Sequence, residues 1–210
     1  MDTNCRVYNA DGTAVMISYG VWRCLICGEI YLGTECPSNC PFCGAHIIHI
    51  IRPPEGGNPK VIDVGDAGGE LTEKEKENLD KSIETEYESM MFYSFIAKKA
   101  GPVEVRGIFK RLARVESEHL SLFCKLRGVK KPTSPPKPMS SEESWSDVAT
   151  RSSRMETNAH SLYVKFAKET DKPRLMEVWG AVAQVELDHM ALSISQSKFL
   201  SKETSEKTDK

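Results

Sequence analysis

Glu116-Ser117-Glu118-His119 and Glu186-Leu187-Asp188-His189 are two matching acidic-histidine stretches, 70 residues apart. A further glutamate stands 30 residues upstream of each, Glu86 and Glu156, and each of these has a tyrosine seven residues on, Tyr93 and Tyr163. The surrounding period is helical. Leu79, Ile83, Glu86, Met90, Tyr93 and Ala97 follow one another at i+3 or i+4, so they share a face. Val105, Ile108, Leu112, Glu116, His119 and Phe123 repeat the pattern, as do Glu156, Ala159 or His160, Tyr163 and Ala167, and then Met176, Ala183, Glu186, His189 and Met190. Each of four helices thus carries an acid in its own apolar stripe, where an unpaired carboxylate is costly. Glu84, Glu88, Glu118 and Asp188 fall off these stripes and read as solvated.

Start and stop signals set the helix lengths. Thr72-x-x-Glu75 is a capping box, which predicts a first helix over 73–99, ending at Gly101. Pro102 suits the first turn of a second, running to Arg127 before Gly128. Pro132, Pro135, Pro136 and Pro138 make residues 128–140 a long non-helical crossover. Ser140 or Ser141 then opens a third helix to Thr170. Asp171 caps a fourth with Pro173 in its first turn, fading near 200 into the polar tail 201–210. Short first and last turns with a long middle crossover predict a ferritin-like four-helix bundle over residues 71–200.

Heights then decide whether the acids meet. Glu86 lies 16 residues before Pro102 and Glu116 lies 14 after it. At a rise of 1.5 Å per residue, both are roughly 21–24 Å from the turn. Glu156 and Glu186 bracket Pro173 by 17 and 13 residues. The halves also align at an offset of 70, Ala97 with Ala167, Ala113 with Ala183 and Val115 with Val185, which reads as an internal duplication. Four carboxylates and two imidazoles at one level need a counter-charge, and two divalent metals supply it. Glu-x-x-His offers an oxygen and a nitrogen from adjacent turns, while the lone glutamates bridge or chelate. Tyr93 and Tyr163 reach the ligand carboxylates from two turns away, or simply pack in the core. His160 is read as a core histidine before a ligand or proton donor.

Upstream, 53–70 is a linker rich in Pro and Gly, and residues 1–52 form a small β-rich domain. Asp11-Gly12 marks a hairpin turn. Five of the seven cysteines fall between positions 24 and 43. Cys24-x-x-Cys27-Gly28 and Cys40-x-x-Cys43-Gly44 are two knuckles that converge on a tetrahedral four-sulfur metal site, iron or zinc. Cys36 reads as a bystander, and Cys5 and Cys124 as ordinary buried or half-buried thiols. The 28 basic and 30 acidic residues leave a net charge of -2, with no basic cluster for nucleic acid. No apolar run approaches the roughly 20 residues a membrane helix needs, and Met1-Asp2-Thr3-Asn4 lacks the layout of a signal peptide. The expectation is a soluble cytoplasmic protein.

Trp22-Arg23-Cys24 through Cys40-Pro41-Phe42-Cys43-Gly44 resembles a rubredoxin-type iron domain. Glu86, Glu116-x-x-His119, Glu156 and Glu186-x-x-His189 resemble the di-iron domain of the rubrerythrin family, here in the reversed order with the rubredoxin-like module first. The resemblance implies two iron ions in the bundle and one iron, or zinc, in the four-cysteine site. It implies a peroxidase of oxidative-stress defence that reduces hydrogen peroxide to water, with the four-sulfur iron returning electrons. An upstream donor, either an NAD(P)H-linked reductase or a rubredoxin-type protein, and a homodimer are further implications. The alternatives are a ferroxidase or oxidase using oxygen, and a non-enzymatic iron-binding protein with structural zinc. One departure stands out. Familiar members carry another glutamate three residues after the third-helix ligand, where this chain has Ala159, with His160 beside it.

Overall fold

The structure, a computed structural model, describes residues 3–8, 11, 13–53, 63–99, 101–133 and 144–206, with side chains over the same ranges apart from 3–8, 14–19 and 196–206. It divides into two units, Met1–Val64 and Gly65–Lys210.

In the first unit, strands β1 (Thr3–Tyr8), β2 (Ala14–Cys24) and β3 (Ile30–Gly33) form an antiparallel sheet in that order, and β4 (Ile50–Ile51) pairs with the end of β2. Tyr8 faces Ala14 and Thr3 faces Tyr19, so β1 and β2 form a hairpin. Asp11 shapes its turn by accepting the Thr13 N–H at 2.9 Å. Gly12 and the Cys5 side chain lie outside the described residues. The Cys24↔Ile50 pairing fixes the end of β2 against the segment that follows the second knuckle.

The second unit is a ferritin-like bundle of α1 (Glu73–Ile96), α2 (Val103–Arg127), α3 (Trp145–Lys168) and α4 (Pro173–Glu206). Short connections make α1–α2 and α3–α4 antiparallel hairpins. The hairpins meet through α1 against α3 and α2 against α4. Each acid-bearing stripe therefore points to one axis.

Local chemistry explains the helix ends. Thr72 forms the expected capping box, its hydroxyl accepting from the Glu75 N–H at 3.2 Å and its own N–H donating to Glu75 at 2.8 Å. The α1 ladder stops at Ile96, short of the expected 99. There Lys98 and Lys99 switch to i→i+3 bonds with Phe95 and Ile96. α3 starts at Trp145, capped by Ser144 in a box with Asp147. The expected start at Ser140 or Ser141 lies outside the described residues. Packing favours Trp145, whose ring stacks on Phe109 at 6.3 Å against the core of Phe92, Tyr93, Ile96, Val105, Leu112 and Val148. At the other end α3 stops at Lys168 rather than 170.

The start of α4 differs from expectation in one respect. The carbonyl of Lys172, not Asp171, accepts the first helical bond, from Met176. Thr170 takes the Lys172 N–H at 3.1 Å. α4 also runs six residues past 200, to Glu206. Met176 leaves the buried stripe and is 46% exposed, while Leu175 is fully buried. Leu175 is 11 residues, or three turns, before Glu186 and shares its face, whereas Met176 is rotated by a further 100°.

Candidate metal centres

In the first unit, Cys24 ends β2 and Cys27 sits in the turn after it. The Gly28 N–H closes that turn onto the Cys24 carbonyl at 3.0 Å, and Gly44 closes the second onto Cys40 at 3.0 Å. Both glycines are left-handed, φ 82° and 77°, a conformation that a side chain would strain. Asn39 braces the second knuckle by donating to the Gly44 carbonyl at 3.0 Å. The result brings Cys24, Cys27, Cys40 and Cys43 together, all buried, with their sulfurs within 4.8 Å of one another.

The sulfur spacing tests the fit to a metal. Cys24 and Cys43 are 3.8 Å apart, Cys27 and Cys40 3.7 Å. A tetrahedron with metal–sulfur bonds of about 2.3 Å has edges of about 3.8 Å. The thiols cannot all ionise unaided. Hydrogen bonds from Cys24, Cys27 and Cys43 pull Cys40 far down, while the neighbouring sulfurs push Cys27 and Cys43 up. A central cation removes that conflict. Cys36 stands outside the cluster, half-buried beside the Pro37 carbonyl, and Cys124 is a buried core thiol.

In the bundle, Glu86, Glu116, His119, Glu156, Glu186 and His189 are all buried. They converge as two overlapping groups. One comprises Glu86, Glu116, His119 and Glu186; the other comprises Glu116, Glu156, Glu186 and His189. The His119 Nδ1 lies 3.3 Å from Glu116 Oε2 and 3.4 Å from Glu186 Oε1. The His189 Nδ1 lies 3.0 Å from Glu116 Oε1 and 3.2 Å from Glu186 Oε2. Glu116 and Glu186 thus turn one oxygen to each half. Of the two roles left open for the lone glutamates, bridging or chelating, the grouping matches the second, and the shared carboxylates are those of the Glu-x-x-His pairs. Glu86 and Glu156 each serve one half. The reason is position: Glu116 and Glu186 each lie within 3.4 Å of both imidazole nitrogens, whereas Glu86 stands 3.5 Å from that of His119.

The site fits a pair of cations. Glu156 Oε2 is buried and accepts no hydrogen bond, while the buried Glu116 Oε1 and Glu186 Oε1 have an imidazole nitrogen at 3.0 and 3.4 Å but outside good hydrogen-bond geometry. Such oxygens are expensive unless something positive meets them. Burial and the nearby Glu116 and Glu186 charges drive Glu86 well above the usual carboxylate range despite His119, and burial with Glu186 does the same to Glu156. Burial also works against Glu116, but His189 and His119 outweigh it and hold it low. Both imidazoles rise despite burial, because carboxylates surround them. Four carboxylates at -1 each are neutralised by two divalent ions with the imidazoles neutral.

Tyr163 donates to Glu86 at 2.5 Å, and Tyr93 donates to Glu156. Each tyrosine thus steadies the lone glutamate of the other hairpin. His160 is half-buried, and its Nδ1 donates to the Ala183 carbonyl at 2.9 Å. It joins neither ligand group. Ala159 is buried, 3% exposed. Sequence reasoning missed Ser152 and Ser193, both fully buried and bonded into the Tyr93 side of the site. Small polar residues at stripe positions were the available signal.

The family model named Rubrerythrin matches residues 77–192, and the one named Rubrerythrin, rubredoxin-like domain matches residues 22–47. The chain belongs to the rubrerythrin family. Within it, the rubredoxin-like module comes first here, the reversed order. The chain is 30% identical over 122 residues to Reverse rubrerythrin-1 of Clostridium acetobutylicum, an alignment covering 51% of this chain and 61% of that relative. The chain therefore aligns with less than two thirds of the relative's length. No solved structure matches. Among the described residues, no helix is long and apolar enough to cross a membrane.

Proposed function

We propose that this chain reduces hydrogen peroxide to water, using two iron ions held by the bundle and electrons passed on from a single iron held by the four cysteines. The observation that supports this reading most is the pair of buried ligand groups sharing Glu116 and Glu186, with Glu156 Oε2 buried and accepting no hydrogen bond. Held by Glu86, Glu116, His119, Glu156, Glu186 and His189, a pair of iron ions would supply the two electrons that peroxide reduction needs.

The chain's own residues do the rest. Glu116 and Glu186 hold the two half-sites at a set separation, since each splits its oxygens between them. His119 and His189 present Nδ1 inward from opposite sides, their rings 6.3 Å apart. Tyr163 and Tyr93 restrain Glu86 and Glu156, so each carboxylate keeps one rotamer as its charge environment changes. Burial of all six side chains excludes bulk water and strengthens each of these interactions. A cytoplasmic homodimer fed by an NAD(P)H-linked reductase or a rubredoxin-type donor completes the proposal.

Protein made in iron-replete cells and purified without oxygen provides the test. The expected result is three irons per chain, strong visible absorption of the oxidised four-sulfur site, and reoxidation of the reduced protein by peroxide within turnover times. Zinc alone in the four-cysteine site would end the internal electron supply. Reoxidation by oxygen but not by peroxide would favour the oxidase reading instead.

A further inference from the structure

Four buried oxygens run in line from the site toward the outside of the bundle. Tyr93 Oη donates to Glu156 Oε1 and lies 2.9 Å from Ser152 Oγ. Ser152 Oγ lies 2.7 Å from Ser193 Oγ. Tyr93 gives its single hydroxyl proton to Glu156 Oε1, so it accepts from Ser152, and Ser152 from Ser193. The hydroxyls are therefore ordered in one direction. Ser193 forms part of the floor of a groove of about 450 Å³ between α3 and α4, whose walls include Ser153, Arg154, Thr157, Asn158 and Ile194.

The duplication shows that this chain of hydroxyls is not a by-product of the fold. At the offset of 70, Tyr93 corresponds to Tyr163, Ser152 to Ser82, and Ser193 to Phe123. Tyr163 donates to Glu86 as Tyr93 does to Glu156. Beyond that point the halves part. The Ser82 hydroxyl turns to the Asn78 carbonyl at 2.8 Å and accepts from Trp179 at 3.0 Å. The Phe123 ring packs against Tyr163 with centroids 5.4 Å apart. One half of the site is sealed by an aromatic ring where the other has a hydroxyl.

We infer that Ser193, Ser152 and Tyr93 form a one-sided proton relay between the α3–α4 groove and Glu156. An acid in the groove, hydronium or a buffer acid, gives a proton to Ser193 Oγ. Ser193 passes its own to Ser152, Ser152 to Tyr93, and Tyr93 to Glu156 Oε1. At each hydroxyl one O–H bond forms and one breaks, so every hydroxyl ends neutral and no electron moves. Ser193 is shielded from water at rest, so the outer step occurs when an exposed side chain of the groove wall such as Ile194 rotates, a motion of picoseconds to nanoseconds. Use of these protons in peroxide reduction rests on the function proposed above, because each peroxide consumes two protons and two electrons. The relay itself does not rest on it.

The test uses the full chain loaded with zinc, which is diamagnetic, and tyrosine labelled for NMR. Exchange of the Tyr93 and Tyr163 hydroxyl protons with water is measured in the same sample. Tyr93 is expected to exchange at least about tenfold faster than Tyr163, a barrier difference of about 1.4 kcal/mol. Ser193→Ala should slow Tyr93 to the rate of Tyr163 and leave Tyr163 unchanged. Ser193→Thr, which keeps the hydroxyl, should restore the fast rate, and Ser152→Ala should repeat the block if Ser193→Ala fails to fold. Equal rates for the two tyrosines in the unaltered chain, or fast Tyr93 exchange in a folded alanine variant, overturn the relay. In iron-loaded protein, the solvent deuterium effect on peroxide turnover should rise in Ser193→Ala. An unaltered chain that turns over no peroxide but keeps the exchange difference removes the proposed function and leaves the relay standing.

Discussion

Glu116→Ala and Glu86→Ala each delete one buried carboxylate, yet the geometry assigns them different consequences. Glu116 belongs to both ligand groups and Glu86 to one. Glu116 Oε2 and Oε1 lie 3.3 and 3.0 Å from the two imidazole nitrogens, one in each half. Its removal takes one of four donors from both half-sites. Removing Glu86 takes one of four from the His119 half and none from the other. Loss of a residue that merely orients a ligand lowers metal affinity by about 10–100-fold, so loss of a ligand itself should cost at least about 100-fold. Titration with cobalt or iron, followed by metal analysis after gel filtration, should therefore read two bundle ions for the unaltered chain beyond the one in the four-cysteine site. The expected counts are none for Glu116→Ala and one for Glu86→Ala. Thermal melts of the metal-free proteins check that both variants fold. Two retained ions in Glu116→Ala, or loss of both in Glu86→Ala, would refute the shared-carboxylate geometry.

Three further outcomes follow from separate parts of the molecule. Burial raises the Glu75 carboxyl, but hydrogen bonds from Lys172, Thr170 and Thr72 outweigh it and hold it at about 2, below the usual 4.5. A depressed carboxylate stabilises the fold above pH 4.5 and loses that contribution as pH falls toward 2. Glu75→Gln should thus be less stable than the unaltered chain at pH 6 by about 3 kcal/mol, with the gap narrowing as pH falls toward 3 in urea melts; a constant gap contradicts it. Cys43→Ser should abolish the visible absorption of the four-sulfur site while Cys36→Ser leaves it intact, read by a simple spectrum. Tyr163→Phe removes the donor to Glu86 and should weaken metal binding in the His119 half by about 10–100-fold while sparing the other half, measured by stepwise cobalt titration.

Much of this protein follows from short-range pattern. A Cys-x-x-Cys-Gly turn closes on itself, so the four-sulfur site was legible residue by residue. Helical period alone placed Glu86, Glu116, Glu156 and Glu186 on inward stripes, and counting from Pro102 and Pro173 placed them at one level. The capping box at Thr72 needs only three neighbouring residues. What the sequence could not decide depends on distances between helices, which no period encodes. The sharing of Glu116 and Glu186 depends on packing that brings both imidazole nitrogens within 3.4 Å of each carboxylate. The Ser144–Asp147 box sets the described start of α3, and the Trp145 ring takes a place against Phe109 that no period encodes. Met176 drops out of the stripe because a helix turns 100° per residue and one position of phase error accumulates unseen. The link from Ser152 to Ser193 joins residues 41 apart on different helices. Two serines become a proton relay only where packing brings their hydroxyls within 2.7 Å, and the same packing gives the matching place in the other half to Phe123.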